Sequence, residues 1–225
     1  MEKNDYLVLN QMDLFFGIEP SQISPLIGCL TIGTNTFQKN EFIFELHQMI
    51  KKIGILLSGE AQIVQDDFLG NRNILSNIQS GDLFGESFAF SQLPISSFSV
   101  IAVTECTVLF IDPKKLATPC FAGCDFHHTL IQNMLKIVSL KNIQLTEKIE
   151  VLSKRSLREK VLSYLSLASA KFDSSEFMIP FDRQALADYL CADRSALSAE
   201  LSRLKRDGYL DYHKNQFILH FNKNE

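Results

Sequence analysis

Residues 181–210 read FDRQALADYLCADRSALSAELSRLKRDGYL and predict two short helices joined by a tight turn at Cys191–Ala192. Asp182 is suited to cap the first helix, because its carboxylate can accept from backbone N–H groups that the first turn leaves unpaired. Asp193 is predicted to cap the second helix, which ends before Gly208, a residue that readily takes the left-handed conformation after a helix. The apolar residues recur at helical spacing and predict a shared buried face: Leu186, Ala187, Leu190, Leu197, Leu201 and Leu204.

The second helix leaves a row of small or hydroxylic side chains, with one arginine at its tip, on the face opposite its leucines. This row comprises Arg194, Ser195, Ser198, Ala199 and Ser202. Such a face is slim enough to enter a major groove about 12 Å wide, where an arginine can donate two hydrogen bonds to a guanine edge. Arg183 and Arg203 are further candidates for hydrogen bonds to phosphates or bases. An ordinary helical hairpin with a solvated face would show the same pattern.

The residues after the second helix favour DNA binding over that ordinary hairpin. Tyr209–Tyr212 and Phe217–Leu219 have the composition of strands, and the polar residues 213–216 separate them. A strand, a turn and a strand directly after a recognition-type helix are typical of a winged helix. The C-terminal part is therefore predicted to bind double-stranded DNA.

Charge is distributed unevenly along the 225 residues, which carry a net charge of −4. Residues 1–150 hold 10 Lys/Arg against 16 Asp/Glu, whereas residues 151–225 hold 12 against 10. A DNA-facing surface must therefore be local, and the acidic first part is not expected to touch phosphate. The hydrophobic share of 46% is enough to fill two cores.

The sequence predicts a cytoplasmic protein without a membrane segment. The first residues lack a basic stretch followed by an apolar one, and no apolar run approaches the ~20 residues of a membrane span. The five cysteines are an odd number, and without a secretory context reduced thiols are the expected state.

Residues 31–113 have the pattern of many short strands, which predicts a small antiparallel β-roll after a helical lead-in over residues 1–20. Apolar alternating runs are cut there by glycine, asparagine and aspartate. The candidate strands are Phe42–Phe44, Ile53–Leu57, Ala61–Val64, Ile74–Leu75, Phe98–Val103 and Thr107–Ile111.

From His127 onward the apolar period becomes helical and predicts a long dimerisation helix. Its seam alternates steps of four and three residues, as in a two-stranded coiled coil: Ile131, Leu135, Val138, Asn142, Leu145, Ile149 and Leu152. A lone asparagine on such a seam fixes register and oligomeric state. An adjoining stripe of Leu130, Met134 and Ile137 can pack back on the roll. A helix that packs only on its own roll is the alternative.

The predicted class is thus α+β, with an N-terminal antiparallel β-roll, a long dimerisation helix and a C-terminal winged helix-turn-helix. The predicted boundaries are 1–126 for the effector-sensing roll, 127–153 for the dimerisation helix and 154–225 for the winged-helix domain. A further helix is expected over residues 155–170, followed by a polar connector at residues 171–175.

Together with residues 182–210, the stretch GDLFGES at Gly81–Ser87 resembles the CRP/FNR family of bacterial transcription regulators. The resemblance covers about residues 31–219. It implies a cytoplasmic homodimer that binds a two-fold operator, with recognition helices one DNA turn (~34 Å) apart. It also implies that the roll resembles cyclic-nucleotide-binding domains and receives a signal, and that RNA polymerase is a partner.

The resemblance places a candidate effector pocket at Gly85, Glu86, Ser87, Ser96, Ser97 and Met134. Family members that bind cyclic AMP follow the Gly-Glu pair with an Arg-Ser pair that grips the cyclic phosphate. Here Ser96 and Ser97 occupy those positions, so a phosphate would lack its charge-assisted partner. Cyclic AMP is therefore not the expected effector. Glu86 can hold a ribose-like hydroxyl or only cap a turn.

Cysteine positions bear on other possible signals. Family members with an iron–sulfur cluster carry N-terminal cysteines, whereas Met1–Pro20 contains none. Cys120 and Cys124, followed by His127 and His128, could ligate a metal or haem, or act as a thiol switch. The alternative is a helical turn with small cysteines packed under the roll, so no metal is predicted.

On the DNA side, Arg194 matches a base-contacting arginine of the family, but two other contacts differ. Ser195 stands where a glutamate is usual, and Ala199 where an arginine is common. The operators of better-known members therefore cannot be carried over. Cys191 occupies a turn position where glycine is usual.

Three functions fit the sequence to different degrees. The leading hypothesis is a transcription regulator controlled by a small-molecule or redox signal. The alternative is a ligand-binding sensor whose winged helix makes protein contacts. An enzyme of the cupin type needs three or four converging metal ligands, but His47 is the one histidine expected among the strands. No enzymatic activity is predicted.

Overall fold

The computed structural model describes residues 3–66, 72–91, 95–118 and 125–220. The chain is an α+β protein, with an N-terminal part rich in antiparallel sheet, a long helix and a C-terminal helix-turn-helix. Contacts divide it into two compact units, residues 1–138 and 139–225, with the border inside the long helix. The predicted boundaries at 126/127 and 153/154 stay predictions.

The first unit begins with helical segments and continues into two four-stranded sheets. The helices are α1 (Lys3–Gln11), a 3-10 turn (Asp13–Phe15), α2 (Pro20–Leu30), α3 (Glu86–Ser91) and α4 (Pro113–Ala117). The strands are β1 (Thr31–Phe37), β2 (Phe42–Phe44), β3 (Ile53–Ser58), β4 (Ala61–Asp66), β5 (Arg72–Ile78), β6 (Leu83–Phe84), β7 (Ser99–Ala102) and β8 (Cys106–Ile111).

The two sheets have the orders β1-β8-β3-β6 and β2-β7-β4-β5, and all their pairs are antiparallel. The predicted strands are found, and β1 and β6 are additional. The alternating Thr-rich residues of β1 lack the apolar run that marked the other strands. His47 lies after β2, not within a strand as expected.

Two apolar clusters fill the first unit. One lies around Phe44, Phe84 and Phe110, whose rings pack 5.6–5.9 Å apart between centroids. The other joins α1, α2 and β3 to the start of the long helix through Leu130 and Met134. The stripe predicted to pack on the roll therefore does so, and Ile137 is partly buried with it.

The long helix α5 spans Asp125–Leu152. Asn133 fixes its first half, because its side-chain amide donates to the carbonyl oxygens of Leu14 (3.0 Å) and Phe16 (2.8 Å). This buried hydrogen-bonding residue was not singled out in the sequence, since a polar residue at a helical core position carries no periodic signal.

The second unit contains the end of α5, α6 (Leu157–Phe172), α7 (Arg183–Tyr189) and α8 (Arg194–Arg206). Its sheet has the order β10-β11-β9, made from Leu210–His213, Gln216–Leu219 and Glu176–Met178. The strand β9 was missed, because three residues after a polar connector are too few for a pattern. One apolar cluster of fifteen buried residues joins these elements.

Candidate nucleic-acid interface

The helix α8 is held by its apolar face. Leu197, Leu201 and Leu204 are all fully buried in the core of the second unit. Removing these side chains from water contributes about 1.5–3 kcal/mol each. Because these leucines lie on one side of α8, the opposite side faces away from that core.

The predicted side-chain cap is found at the start of α7 but not at the start of α8. The Asp182 carboxylate accepts from the backbone N–H of Ala185 at 2.8 Å, as predicted. Asp193 stands at the N-cap position of α8, but its side chain makes no capping hydrogen bond, so the predicted cap is wrong in this respect. The N-terminal N–H groups of α8 are therefore not occupied by that carboxylate.

The turn between α7 and α8 adopts a left-handed backbone at Cys191, with φ of 51°. An L side chain in this region costs roughly 1 kcal/mol, which explains why glycine is usual there. The thiol is exposed and not in a disulfide.

The predicted base-reading row lies on the outside of α8. Arg194, Ser195, Ala199 and Ser202 are exposed and Ser198 is half-buried. Residues 195 and 202 are seven positions apart, which is ~10 Å along a helix, or about three base-pair steps. The structure thus brings these residues into one continuous surface row.

Two of the serines in this row have their hydroxyl protons directed into the helix. Ser198 Oγ donates to the carbonyl oxygen of Arg194 and Ser202 Oγ to that of Ser198, each at 2.9 Å. This back-bonding is a common state of serine inside helices. Toward solvent, Ser198 therefore presents oxygen lone pairs rather than a proton.

Arg183 differs from the other predicted DNA-contacting residues. It is half-buried, its Nη2 donates to the carbonyl oxygen of Lys214 (3.2 Å), and its guanidinium carbon lies 5.0 Å from the Tyr212 ring centroid. Burial lowers its pKa below the ordinary arginine value, and the nearby Arg194 charge acts in the same direction. Its contacts are within the protein.

Arg203 is tied to a carboxylate on its own helix. Its Nη1 lies 3.3 Å from Glu200 Oε2, and Arg158 Nη1 of α6 lies 3.5 Å from Glu200 Oε1. Glu200 is mostly buried, and a buried carboxylate requires such partners. Arg203 still exposes most of its side chain, so it remains available to solvent.

The end of α8 and the strand that follows form an ionic cluster. Lys205 Nζ is 2.9 Å from one oxygen of Asp211, and His220 Nε2 is 3.0 Å from the other. The hydrogen bond from Lys205, and secondarily the one from His220, lowers the pKa of Asp211. The hydrogen bond to Asp211 in turn raises the pKa of Lys205. Arg206, the last residue of α8, is exposed.

Apolar residues of the predicted dimer seam are exposed on α5. Leu135, Val138, Leu145 and Ile149 expose 62%, 43%, 61% and 68% of their surface, Asn142 is exposed, and Ile131 and Leu152 are half-buried. Leucine and isoleucine side chains at this spacing are normally removed from water. The chain alone leaves them uncovered.

The predicted effector residues lie in two different places. Phe88, two residues after Glu86, packs edge-on against Phe98, two residues after Ser96, with centroids 5.1 Å apart. The Gly85–Ser87 and Ser96–Ser97 segments are thereby brought together. Met134 belongs instead to the apolar cluster around α1 and α2.

One polar group of this region, the Ser96 hydroxyl, is used by the fold itself. Glu86 is buried at the first turn of α3, Ser87 and Ser97 are exposed, and the buried Ser96 donates to the carbonyl oxygen of Phe98 at 2.6 Å. Gly85 has φ of 80°, and a Cβ there would lie 2.8 Å from the Phe44 ring. A hollow of about 340 Å³ elsewhere is lined by α1 and the turn at Gly81, not by these residues.

The candidate metal ligands are described only in part. Cys120 and Cys124 lie outside the described residues. His127 is buried in the first turn of α5, with Nε2 3.1 Å from the carbonyl oxygen of Lys115 and Nδ1 without a hydrogen-bond partner. In the part of the chain that is described, no three histidine, cysteine or acidic side chains are grouped to hold a metal ion.

Across the described residues, every helix is too short or too polar to cross a bilayer.

Two residues that organise this surface were missed in the sequence. Arg158 links α6 to α8, and Tyr212 packs beside Arg183 while its hydroxyl lies 3.4 Å from Ser202 Oγ. The helical spacing around Arg158 gives no signal for a partner 42 residues away. The period-two alternation of β10 does place Tyr212 on the same face as the buried Leu210, and Tyr212 packs partly buried against the core of the second unit.

Comparisons with known proteins agree with this architecture. The cyclic nucleotide-binding domain family matches residues 34–120, and the Crp-like helix-turn-helix domain family matches residues 159–223. No curated protein sequence is significantly similar to the chain.

Solved structures show the same fold at low identity. CprK complexed with OCPA is 17% identical, with 89% of this chain and 91% of that chain covered and a TM-score of 0.59. The sensor domain of the transcriptional regulator DNR from Pseudomonas aeruginosa is 18% identical, with 70% and 100% covered and a TM-score of 0.50. With a cyclic nucleotide-binding domain and a Crp-like helix-turn-helix domain matched over about two thirds of its length, the chain belongs to the CRP/FNR family of transcription regulators.

Proposed function

We propose that this protein is a homodimeric regulator that binds a two-fold operator in double-stranded DNA, with α8 of each copy in a major groove. The observation that carries the proposal is the outward row on α8, in which small side chains stand between Arg194 and the basic end of the helix. Small side chains let the helix backbone approach the base edges, and Arg194 can donate to a guanine.

The second copy is proposed to cover the exposed apolar residues of α5. Four side chains there expose 43–68% of their surface, and burying the exposed part of each contributes about 1–2 kcal/mol per copy. The seam spacing of four and three residues fits a two-stranded coil, with Asn142 setting the register. A two-fold dimer then matches a two-fold operator.

The roll is proposed to receive the controlling signal, which acts through α5, and RNA polymerase is proposed as the partner on the promoter. Cyclic AMP is not proposed as the effector. Ser96 and Ser97 offer no guanidinium to a cyclic phosphate, and the Ser96 hydroxyl is engaged with Phe98. A cytoplasmic location fits a DNA-binding regulator.

The test is operator selection from a randomised duplex pool, followed by fluorescence anisotropy over a range of salt concentrations. The wild type is expected to select a two-fold sequence with an affinity that falls steeply with salt. Arg194→Ala is expected to remain a folded dimer and lose ~1–3 kcal/mol of discrimination at one base pair. Tight binding of a small ligand without a DNA shift at low salt would instead favour a sensor whose winged helix makes protein contacts.

A further inference from the structure

The hairpin between β10 and β11, which we call the wing, turns at Lys214 and Asn215. Lys214 has φ of 55°, a left-handed conformation that is costly for a side chain other than glycine. Such a turn persists where surrounding bonds fix it. Asn215 supplies one side of this restraint, because its amide donates to the carbonyl oxygen of Ile179 (3.0 Å) and its own carbonyl accepts from the Ile179 N–H (3.0 Å).

Arg183 supplies the other side of the restraint. Its Nη2 donates to the carbonyl oxygen of Lys214 (3.2 Å), the residue with the left-handed backbone. The guanidinium carbon of Arg183 also lies 5.0 Å from the Tyr212 ring centroid, which adds a cation–π contact to the hydrogen bond. One side chain on α7 thus holds both the strand and the tip of the wing.

Tyr212 extends this restraint to α8. Its hydroxyl is 3.4 Å from Ser202 Oγ, and the Lys205 ammonium lies 5.9 Å from its ring centroid. Because the proton of Ser202 goes to the carbonyl oxygen of Ser198, Tyr212 is the donor in this contact. The angle between the wing and α8 therefore depends on Arg183 and Tyr212 together.

The charges of Arg183 and Lys214 face different surroundings. Arg183 is half-buried and its guanidinium is directed at the wing. The Lys214 side chain is exposed, and it forms no ion pair with any residue of the part of the chain that the structure describes. An exposed ammonium at a fixed position beside α8 can meet a backbone phosphate.

We propose that Arg183 is a positioning residue rather than a DNA contact: it fixes the wing so that the Lys214 ammonium reaches a phosphate beside the groove occupied by α8. This rests on the proposed DNA binding. It assigns to Lys214 a phosphate contact that was not among the predicted DNA-binding residues, and it changes the role predicted for Arg183.

The test is a double-mutant cycle on duplex affinity with Arg183→Met, Lys214→Ala and the double variant, at several salt concentrations. Methionine keeps most of the apolar stem of Arg183 without its charge or its hydrogen-bond donors. Each single variant is expected to bind about three- to tenfold more weakly, and the double variant no more weakly than Lys214→Ala. The slope of log affinity against log salt should fall by about 0.9 in all three variants, because one phosphate contact is lost.

If Arg183 and Lys214 each contacted a phosphate directly, the double-mutant cycle would give a different result. The losses of the two single variants would then multiply in the double variant, and its salt slope would fall by about 1.8. That result overturns the positioning role. Arg206→Ala is the matched control, since Arg206 is exposed on α8 and its effect should multiply with that of Arg183→Met.

Hydrogen exchange of the DNA-free protein tests the same restraint independently. Arg183→Met should speed amide exchange in β10 and β11, whereas Lys214→Ala, which keeps the backbone carbonyl, should leave it unchanged. Equal exchange in wild type and Arg183→Met would overturn the inference. A wild type that fails to bind any duplex would instead contradict the proposed function, and the exchange result would still decide whether Arg183 holds the wing.

Discussion

Arg158 Nη2 donates to Asp207 Oδ2 across 2.8 Å, which joins α6 to the end of α8. The same guanidinium reaches Glu200 at 3.5 Å and lies 5.0 Å from the Tyr209 ring centroid. The hydrogen bond to Asp207 raises the pKa of Arg158 further above its already high value, so the charge is permanent. The orientation of α8 thus depends on contacts on the side away from its proposed DNA face.

Arg158→Ala is expected to lower the melting temperature and to weaken DNA binding. Asp207 loses its contact with Arg158, and Glu200 is left with Arg203 as its one arginine partner. Differential scanning calorimetry of the DNA-free protein measures the first effect. Arg206→Ala, on the exposed side of α8, is the control and should leave the melting temperature unchanged. An unchanged melting temperature in Arg158→Ala would show that the link does not support α8.

Leu145→Glu is expected to convert the dimer to monomers, because it places a charge on both sides of the α5 seam. Because Leu145 exposes 61% of its surface in one copy, the loss includes about 1–2 kcal/mol of apolar burial per copy, before the cost of the buried charge is added. Sedimentation equilibrium measures the oligomeric state. Gln144→Glu, one position earlier and off the seam, is the control for charge on α5. A wild type that is monomeric at high concentration would contradict the seam.

Ser198→Ala is expected to reduce the preference for bases with an amino group, adenine or cytosine, at one position of each half-site. Ser198 already donates to the carbonyl oxygen of Arg194, so accepting from an amino group keeps that bond, whereas donating to a keto oxygen breaks it. The difference is about one hydrogen bond, or about three- to tenfold in discrimination.

Selection from a randomised half-site, read by sequencing, measures this preference in wild type and variant. Ser195→Ala is the control, because Ser195 stands in the first turn of α8, where no helical carbonyl four residues earlier can accept its proton. Its hydroxyl is free to donate or accept, so a weaker base preference is expected there. A wild-type preference for guanine or thymine opposite Ser198 would contradict the prediction that its hydroxyl accepts a hydrogen bond from a base.

Glu159 is expected to contribute a pH-dependent part of the stability of α6. Ser156 N–H donates to its carboxylate at 3.0 Å, while Glu159 N–H donates to Ser156 Oγ at 3.2 Å, forming a capping box. The hydrogen bond from the Ser156 backbone is the main cause that holds the pKa of Glu159 below its ordinary value of 4.5. A lowered carboxyl pKa stabilises the fold above the ordinary value and loses that effect as the pH falls through the folded value.

Thermal unfolding between pH 7 and pH 3 of wild type and Glu159→Gln checks this sign. Glutamine can still accept from the Ser156 N–H but does not titrate, so the wild-type advantage should be constant near neutral pH and shrink below about pH 4.5. A difference between the two proteins that grows as the pH falls would contradict the assignment.

The helix-turn-helix was predictable from local sequence because its signals are short in range. The buried Leu197, Leu201 and Leu204 repeat at helical spacing, and Gly208 after α8 has φ of 81°. The wing hairpin was predictable for the same reason. The Asp193 cap failed because residue type gives the position of a cap but not the rotamer of its side chain.

Contacts between distant residues were not predictable from one sequence. Arg158 meets Glu200 across 42 positions and Asn133 meets Leu14 across 119, and neither pair has a local pattern. Arg183 was predicted as a DNA contact from its charge and place, whereas its burial beside Tyr212 depends on where the wing folds. For the effector pocket, the family resemblance grouped Met134 with Glu86, whereas side-chain packing puts Met134 in the apolar cluster around α1 and α2.

The spacing of two half-sites tests the central claim most directly. Binding to a selected two-fold duplex and to the same duplex with five inserted base pairs between the half-sites should be compared by anisotropy and sedimentation. Two chains are expected on the first duplex, and the insertion, which turns one half-site by about half a helical turn, should abolish their joint binding. Equal affinity for both duplexes, or one chain per duplex, would contradict a dimer that places its two α8 helices about one turn apart.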